Sequence, residues 1–333
     1  MTRFEVINLL FDRRKLFKLV CGAGNEDAQE VEKLVFVYAM AGAKLFDVSA
    51  NINVVKHAVQ GLDKARKYVH KFERQINFRP FINVSIGMTG DPHVRKARIS
   101  DNCAKCFQCR QVCPRSAIDG NLHILSKRCI GCGICAAVCP TGAIKFYQND
   151  CNLKSLLLEC LASGAEQLEL HAAVTDSDTI LDEWRMVSEA VTDNYVSMCL
   201  DRLNLGNTQF LNRIKKAREI SGERLIVQAD GVPMSGGADD YNTTLQAIAT
   251  ADVVMKSGLK VRVILSGGTN SYTARLADMC AVRFDGVAIG TFARQIIKNH
   301  IEASDFWSNE KKIEDSVRIA GNLVRHNIGE PIW

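Results

Sequence analysis

The chain has 333 residues, 47% hydrophobic and 24% charged, with a formal net charge of +5. This is ordinary globular chemistry with material for a large core, and no run of about eighteen apolar residues is present to span a membrane. The N-terminus mixes acids and bases with apolar residues and lacks a secretory signal, so the expected location is cytoplasm or plastid stroma rather than the exterior.

The first elements alternate strand and helix. Strands are expected at Phe17–Cys21, Leu45–Val48 and Phe81–Ile86, each short, apolar and bounded by Gly, Asn, Asp or Ser, as buried parallel strands are. Asn25 and Asp27 open a helix that runs through Val31, Leu34, Val35 and Tyr38 to Gly42. The basic run Lys64–Lys71 reads as a solvated helix face.

The cysteines come next. Of thirteen, eight lie between residues 103 and 139, in CAKCFQCRQVCP (103–114) and CIGCGICAAVCP (129–140). Each segment is C-x2-C-x2-C-x3-C-P, and the four cysteine pairs share one offset of 26 residues, the mark of an internal duplication. Clustered thiols in a long chain without a secretory signal read as metal ligands rather than disulfides. Zinc sites usually combine two C-x2-C halves or include histidine; a doubled run of four ending in Cys-Pro fits a two-cluster 4Fe–4S ferredoxin. Three thiolates wrap one cubane, and the longer gap before Cys-Pro carries the fourth to the other cluster. Cluster I is therefore expected on Cys103, Cys106, Cys109 and Cys139, and cluster II on Cys129, Cys132, Cys135 and Cys113. Lys105 and Arg110 near cluster I predict that it has the higher potential. Each oxidised cluster with its thiolates carries about −2, so the holoprotein sits near +1 and gives no case for nucleic acid.

Five more strands follow, at Gln167–His171, Tyr195–Leu200, Leu225–Ala229, Val261–Leu265 and Gly286–Ile289, with helices at Leu153–Gly164 and Tyr241–Gly258. Removing residues 90–148 leaves 274, close to the ~250 of a (β/α)8 barrel. The fold expected is an α/β TIM-type barrel with a ferredoxin module in its third βα loop. Its parts are barrel residues 1–89, the module 90–148, and the rest of the barrel with C-terminal helices, 149–333. An open doubly wound sheet is the alternative. In a barrel the βα loops form the active-site face, so the clusters should stand over the mouth.

Residues at strand C-termini face that mouth, among them Cys21, Asp47, Asn83, Ser85, Glu169, His171, Asp201, Gln228 and Asp230. His171 and Glu169 are candidates for proton transfer, and Cys21 for a redox thiol, although buried histidines and cysteines are commonly wall residues. Gly267, Gly268, Thr269 and Asn270 after strand seven, and Gly290, Thr291 and Arg294 after strand eight, form loops of the kind that cradle a phosphate, FMN being the obvious bearer. Tight turns also need glycine for their own sake. The loop Asp230–Gly237 is a candidate lid, and Cys151 serves neither cluster.

Taken in order, LFKLVCGAGNEDA (16–28), AMAGAKLFDVSAN (39–51), DPHVRKA (91–97), LELHAAV (168–174), QADGVPMSGG (228–237), ILSGGTNSYTA (264–274) and GVAIGTFAR (286–294) resemble the light-dependent period (LdpA) family of cyanobacteria and plastids. The resemblance implies an iron–sulfur redox sensor or electron-transfer protein that reports photosynthetic redox state to partners such as the circadian clock input. The alternative is an enzyme, a ferredoxin-linked FMN oxidoreductase acting on a small molecule in the barrel mouth. Whether the chain is an enzyme stays open at this point, as does a purely structural role for the clusters.

Overall fold

The computed structural model describes residues 1–72, 76–87, 91–148, 152–203, 205–232 and 239–332, and among these ten strands occur, eight of which close into a parallel barrel. In chain order they are β1 (Leu16–Val20), β2 (Leu45–Ser49), β3 (Phe81–Gly87), β4 (Lys96–Ile99), β5 (Ile144–Tyr147), β6 (Gln167–His171), β7 (Val196–Leu200), β8 (Leu225–Asp230), β9 (Arg262–Ser266) and β10 (Gly286–Ile289). The barrel runs β1-β10-β9-β8-β7-β6-β3-β2, while β4 and β5 form a separate antiparallel pair. Closure excludes the open doubly wound sheet. Every expected strand lies on an observed one, shifted by at most a residue at either end.

Strand β3 pairs directly with β6, from Asn83 opposite Gln167 to Gly87 opposite His171. The chain therefore leaves the barrel after β3 and returns into the next strand position, with the cysteine segment carried in the loop between. This is a (β/α)8 barrel with a ferredoxin-type module in its third βα loop.

Local chemistry sets the first helices. Asp27 caps Ala28–Ala41 by accepting from the Glu30 backbone N–H, and Gly42 ends it at φ 103°, a conformation a side chain would resist. The helix Arg3–Asp12 opens with a capping box in which Thr2 and Glu5 each accept from the other's backbone N–H. Its Val6, Ile7, Leu10 and Phe11 pack with Leu16, Leu45, Phe81 and Ile226 at strand starts, plugging the barrel's N-terminal end. Pattern reading missed this helix, although Thr2-x-x-Glu5 was its signal. Among the described residues no helix is long and apolar enough to cross a membrane.

The duplication of the cysteine segment is also a duplication of backbone. Two short helices, Gln108–Gln111 and Ile134–Ala137, repeat at the same offset of 26 residues. So do three left-handed positions: Lys105 with Gly131 (φ 52° and 67°), Phe107 with Gly133 (61° and 85°), and Ser116 with Gly142 (47° and 61°). The second half uses glycine where the first holds side chains in a disfavoured conformation. Same turns, different residues.

Candidate functional site

Four cysteines, Cys113, Cys129, Cys132 and Cys135, line one small apolar cavity with Ala97, Ile118, Ile124 and Phe146. Three of them belong to the second group and one to the first, the crossed set that the spacing predicts. Backbone N–H groups point at the sulfurs: Ala97 to Cys129 Sγ at 3.3 Å, and Ala117 to Cys113 Sγ at 3.3 Å. In the other half, Lys105 N–H lies 3.4 Å from Cys103 Sγ and Ala143 N–H 3.2 Å from Cys139 Sγ. Thiolates accepting peptide N–H bonds inside an apolar shell suit a cubane. Cys103 and Cys106 neighbour Cys109, and Cys106 is exposed.

The second group faces inward. Lys96, only 5% exposed, donates to the carbonyls of Cys129 (2.9 Å) and Gly24 (2.6 Å), tying the cysteine loop to the loop after β1. A Cβ on Gly24 would meet the His93 carbonyl oxygen at 2.5 Å and Ile130 Cα at 3.3 Å, so the surfaces touch backbone to backbone. Arg115, directly after Cys113-Pro114, pairs with Glu30 of the first helix turn beyond β1 (Nη1 to Oε1 2.8 Å). Arg128 reaches Asp27 at 3.2 Å. Burial pushes the Glu30 carboxyl up, but the hydrogen bonds and charge of Arg115 outweigh it and hold it at about 2.

Ile130, between Cys129 and Gly131, also walls a cavity in the barrel mouth of about 90 Å³. Gly267, Gly268, Thr269, Gly290, Thr291, Arg294 and His171 line it too, as expected for the late loops. Asn270 departs from that expectation. It is fully buried and its side-chain amide donates to Asp240 O (2.6 Å) and Thr243 Oγ1 (2.9 Å), so it braces the loop instead of facing the cavity. Cys21 departs as well: it lies in the apolar wall with no exposure, and burial pushes its thiol far up, the wrong direction for a redox nucleophile. Arg294 donates to the Cys21 carbonyl at 2.8 Å; burial and the neighbouring Arg115 pull its guanidinium down to about 10. Residues 233–237 of the candidate lid, and Cys151, lie outside the described residues.

Below the cavity is a buried polar core. Lys18, mid-strand in β1, donates to Glu169 Oε2 (2.6 Å) and Gln228 Oε1 (2.8 Å), and Ser197 Oγ donates to the same carboxylate oxygen at 2.6 Å. Asn83 donates to Asp47 at 2.6 Å, and Ser85 bonds the same carboxylate. Glu169 is thus committed to Lys18 and has no exposure to the cavity. Burial opposes charge on His171, but the Asp91 and Glu169 carboxylates outweigh it and raise the imidazole well above its usual range. Asp91 and His93 escaped the sequence reading as site residues, as did Lys18. The signal for Lys18 was a lone charge inside LFKLV; nothing local marked the other two.

A (β/α)8 barrel carrying cysteine loops of this kind on its mouth defines a fold built around iron–sulfur chemistry, and comparison with known proteins agrees. Residues 122–145 match the model of a 4Fe–4S binding domain. Residues 160–326 match the light dependent period A C-terminal domain, and the chain belongs to the LdpA family. It is 29% identical over 296 residues to Light dependent period A of Synechococcus elongatus, an alignment covering 86% of this chain and 82% of that one. A tryptophan synthase structure from M. tuberculosis superposes with a TM-score of 0.50 at 9% identity, covering 98% of each chain, which speaks for the barrel fold alone.

Proposed function

We propose that this iron–sulfur protein carries two 4Fe–4S clusters and works as a redox sensor or electron-transfer protein of the LdpA type. Cluster I is assigned to Cys103, Cys106, Cys109 and Cys139, and cluster II to Cys129, Cys132, Cys135 and Cys113. The observation that carries this reading is the crossing of Cys113 into the cavity of the second group. Clusters that exchange their fourth ligands sit close enough to pass single electrons. Exposed Cys106 marks the outer end and the docked Cys129 loop the inner end, next to the barrel mouth. A change of one charge on cluster II falls on the Lys96–Gly24 and Arg115–Glu30 contacts, a route by which redox state alters the surface a partner reads. The family resemblance supplies the partner class: proteins reporting photosynthetic state to the circadian clock, in cytoplasm or plastid stroma. Residues 90–148 then act as the redox module of a barrel formed by 1–89 and 149–333. Anaerobic isolation with iron and sulfide analysis tests the core of this. Eight irons per chain, falling to about four in Cys132→Ser, are expected; zinc or four irons in the wild type would refute two clusters.

The second reading, an FMN-linked oxidoreductase, is favoured by one observation: Gly267, Gly268, Gly290 and Arg294 line the same cavity as Ile130 of the cluster II loop. The cavity's 90 Å³ is well below the roughly 300–1,000 Å³ of typical cofactor pockets, so a flavin would need the mouth loops to open. A smaller phosphate- or carboxylate-bearing molecule suits it better. Flavin fluorescence after acid release separates the two.

A further inference from the structure

We propose that Asp91, His93 and His171 hold a divalent transition-metal ion at the barrel mouth, apart from the iron–sulfur clusters. The three side chains come from distant places: Asp91 and His93 from the connector into the module, His171 from the end of β6. One donor atom from each lies within 4.8 Å of the others. Two imidazoles and a carboxylate form a donor set suited to zinc or iron(II).

Orphaned atoms point the same way. Asp91 Oδ2 and His171 Nδ1 stand 3.2 Å apart, yet neither makes an aligned hydrogen bond, and their residues are only 3% and 7% exposed. Two ligands each ~2.1 Å from one ion, about 90–110° apart, would stand ~3.0–3.4 Å from each other. The separation fits shared coordination as well as it fits a hydrogen bond. His93 Nδ1 lies 2.7 Å from the other oxygen, Asp91 Oδ1, and its ring stands perpendicular to that of His171 at 4.5 Å. Asp230 Oδ1 and Asp47 Oδ2, in residues that line the adjoining cavity, are buried without partners too.

Acidic groups also gather around these three side chains. Asp47, Asp91, Glu169, Asp201 and Asp230 are all at most 5% exposed around this mouth, where Lys18 is committed to Glu169, Arg294 to the Cys21 carbonyl, and His171 lies between Asp91 and Glu169. A divalent ion bound by the two imidazoles would take the place of the proton on His171 as the positive charge beside Asp91 and Glu169. The ion would also tie the module's connector to β6, and its open side would face the cavity, where an anionic ligand could reach it.

The test uses anaerobically prepared protein with its clusters intact, so that the cluster thiolates are occupied. Zinc is the probe. One zinc per chain should resist dialysis without loss of iron, and its X-ray absorption edge should show nitrogen and oxygen neighbours, two of them imidazole, and no sulfur. His93→Gln and Asp91→Asn should each weaken zinc binding by at least ~100-fold with iron content unchanged, and zinc should raise the melting temperature of the wild type but not of these variants. Cys199→Ser should leave binding intact. No bound zinc, zinc with sulfur in its shell (the alternative set of Glu169, His171 and Cys199), or full binding by both variants overturns the proposal.

Discussion

Lys96 donates a hydrogen bond to the carbonyl of Cys129 at 2.9 Å from a position almost closed to water, whereas Lys105, beside the first cysteine group, is exposed. A buried charge is screened far less than one in solvent. Counting cations along the sequence favours cluster I as the higher-potential centre; burial favours cluster II. Lys96→Met should lower the potential of cluster II by on the order of 50 mV, taking an effective dielectric near that of protein sites, and Lys105→Ala should shift cluster I by much less. Redox titration followed by EPR decides it, and a larger shift in Lys105→Ala would show that count outweighs burial.

Gly24 touches the module through backbone. Its missing Cβ is what allows the His93 carbonyl to approach within 2.5 Å of where that atom would be. Gly24→Ala should cost about 1–3 kcal/mol of overpacking and loosen the module without removing its clusters. Hydrogen exchange should quicken across residues 92–97 and 127–131 while iron content holds. If exchange there stays at the wild-type rate, the contact is not what seats the module.

The Glu30–Arg115 pair gives docking a pH dependence. The Glu30 carboxyl is held at about 2 in the fold against an ordinary 4.5. A depressed carboxylate contributes stability that is fully present above the unfolded value and is lost as pH falls toward the folded one. About 3 kcal/mol should therefore be present at neutral pH and disappear between pH 4.5 and 2. Urea unfolding of Glu30→Gln should show the deficit at pH 7 and near parity with wild type at the bottom of that window. An equal gap at both ends would place the effect elsewhere.

Lys18 and Glu169 are both essentially unexposed inside the barrel. Lys18→Met strands Glu169 and Asp47 without their cation and should cost about 3–5 kcal/mol, while Lys18→Met with Glu169→Gln should recover much of it. Denaturant midpoints of the single and double variants measure this; a double variant no better than the single would mean that the pair is not the unit lost.

Much was legible along the chain. The eight barrel strands stand out because parallel strands buried on both faces are short apolar runs between turn residues, and Gln167–His171 and Gly286–Ile289 were placed to the residue. The grouping of Cys113 with Cys129, Cys132 and Cys135 was legible because cysteine spacing is a local property repeated at a fixed offset. The glycines after β9 and β10 marked loops that line the mouth cavity, but Asn270 shows the limit: its side chain turned inward to brace Asp240 and Thr243, which no local pattern announces. The helix Arg3–Asp12 was signalled by Thr2 and Glu5, but its role as a plug depends on strand ends gathered from the whole chain.

By itself the sequence determined what is written in short range: strand and helix periodicity, the duplicated thiolate spacing, the insertion point after β3. Only the tertiary structure decided which cysteine loop faces the barrel, that Lys18 pairs with Glu169, and that Asp91 and His93 meet His171 nearly eighty residues away in the chain. Closing the barrel brings strand ends together regardless of their separation in sequence, and charges forced into that low-dielectric mouth must find one another there.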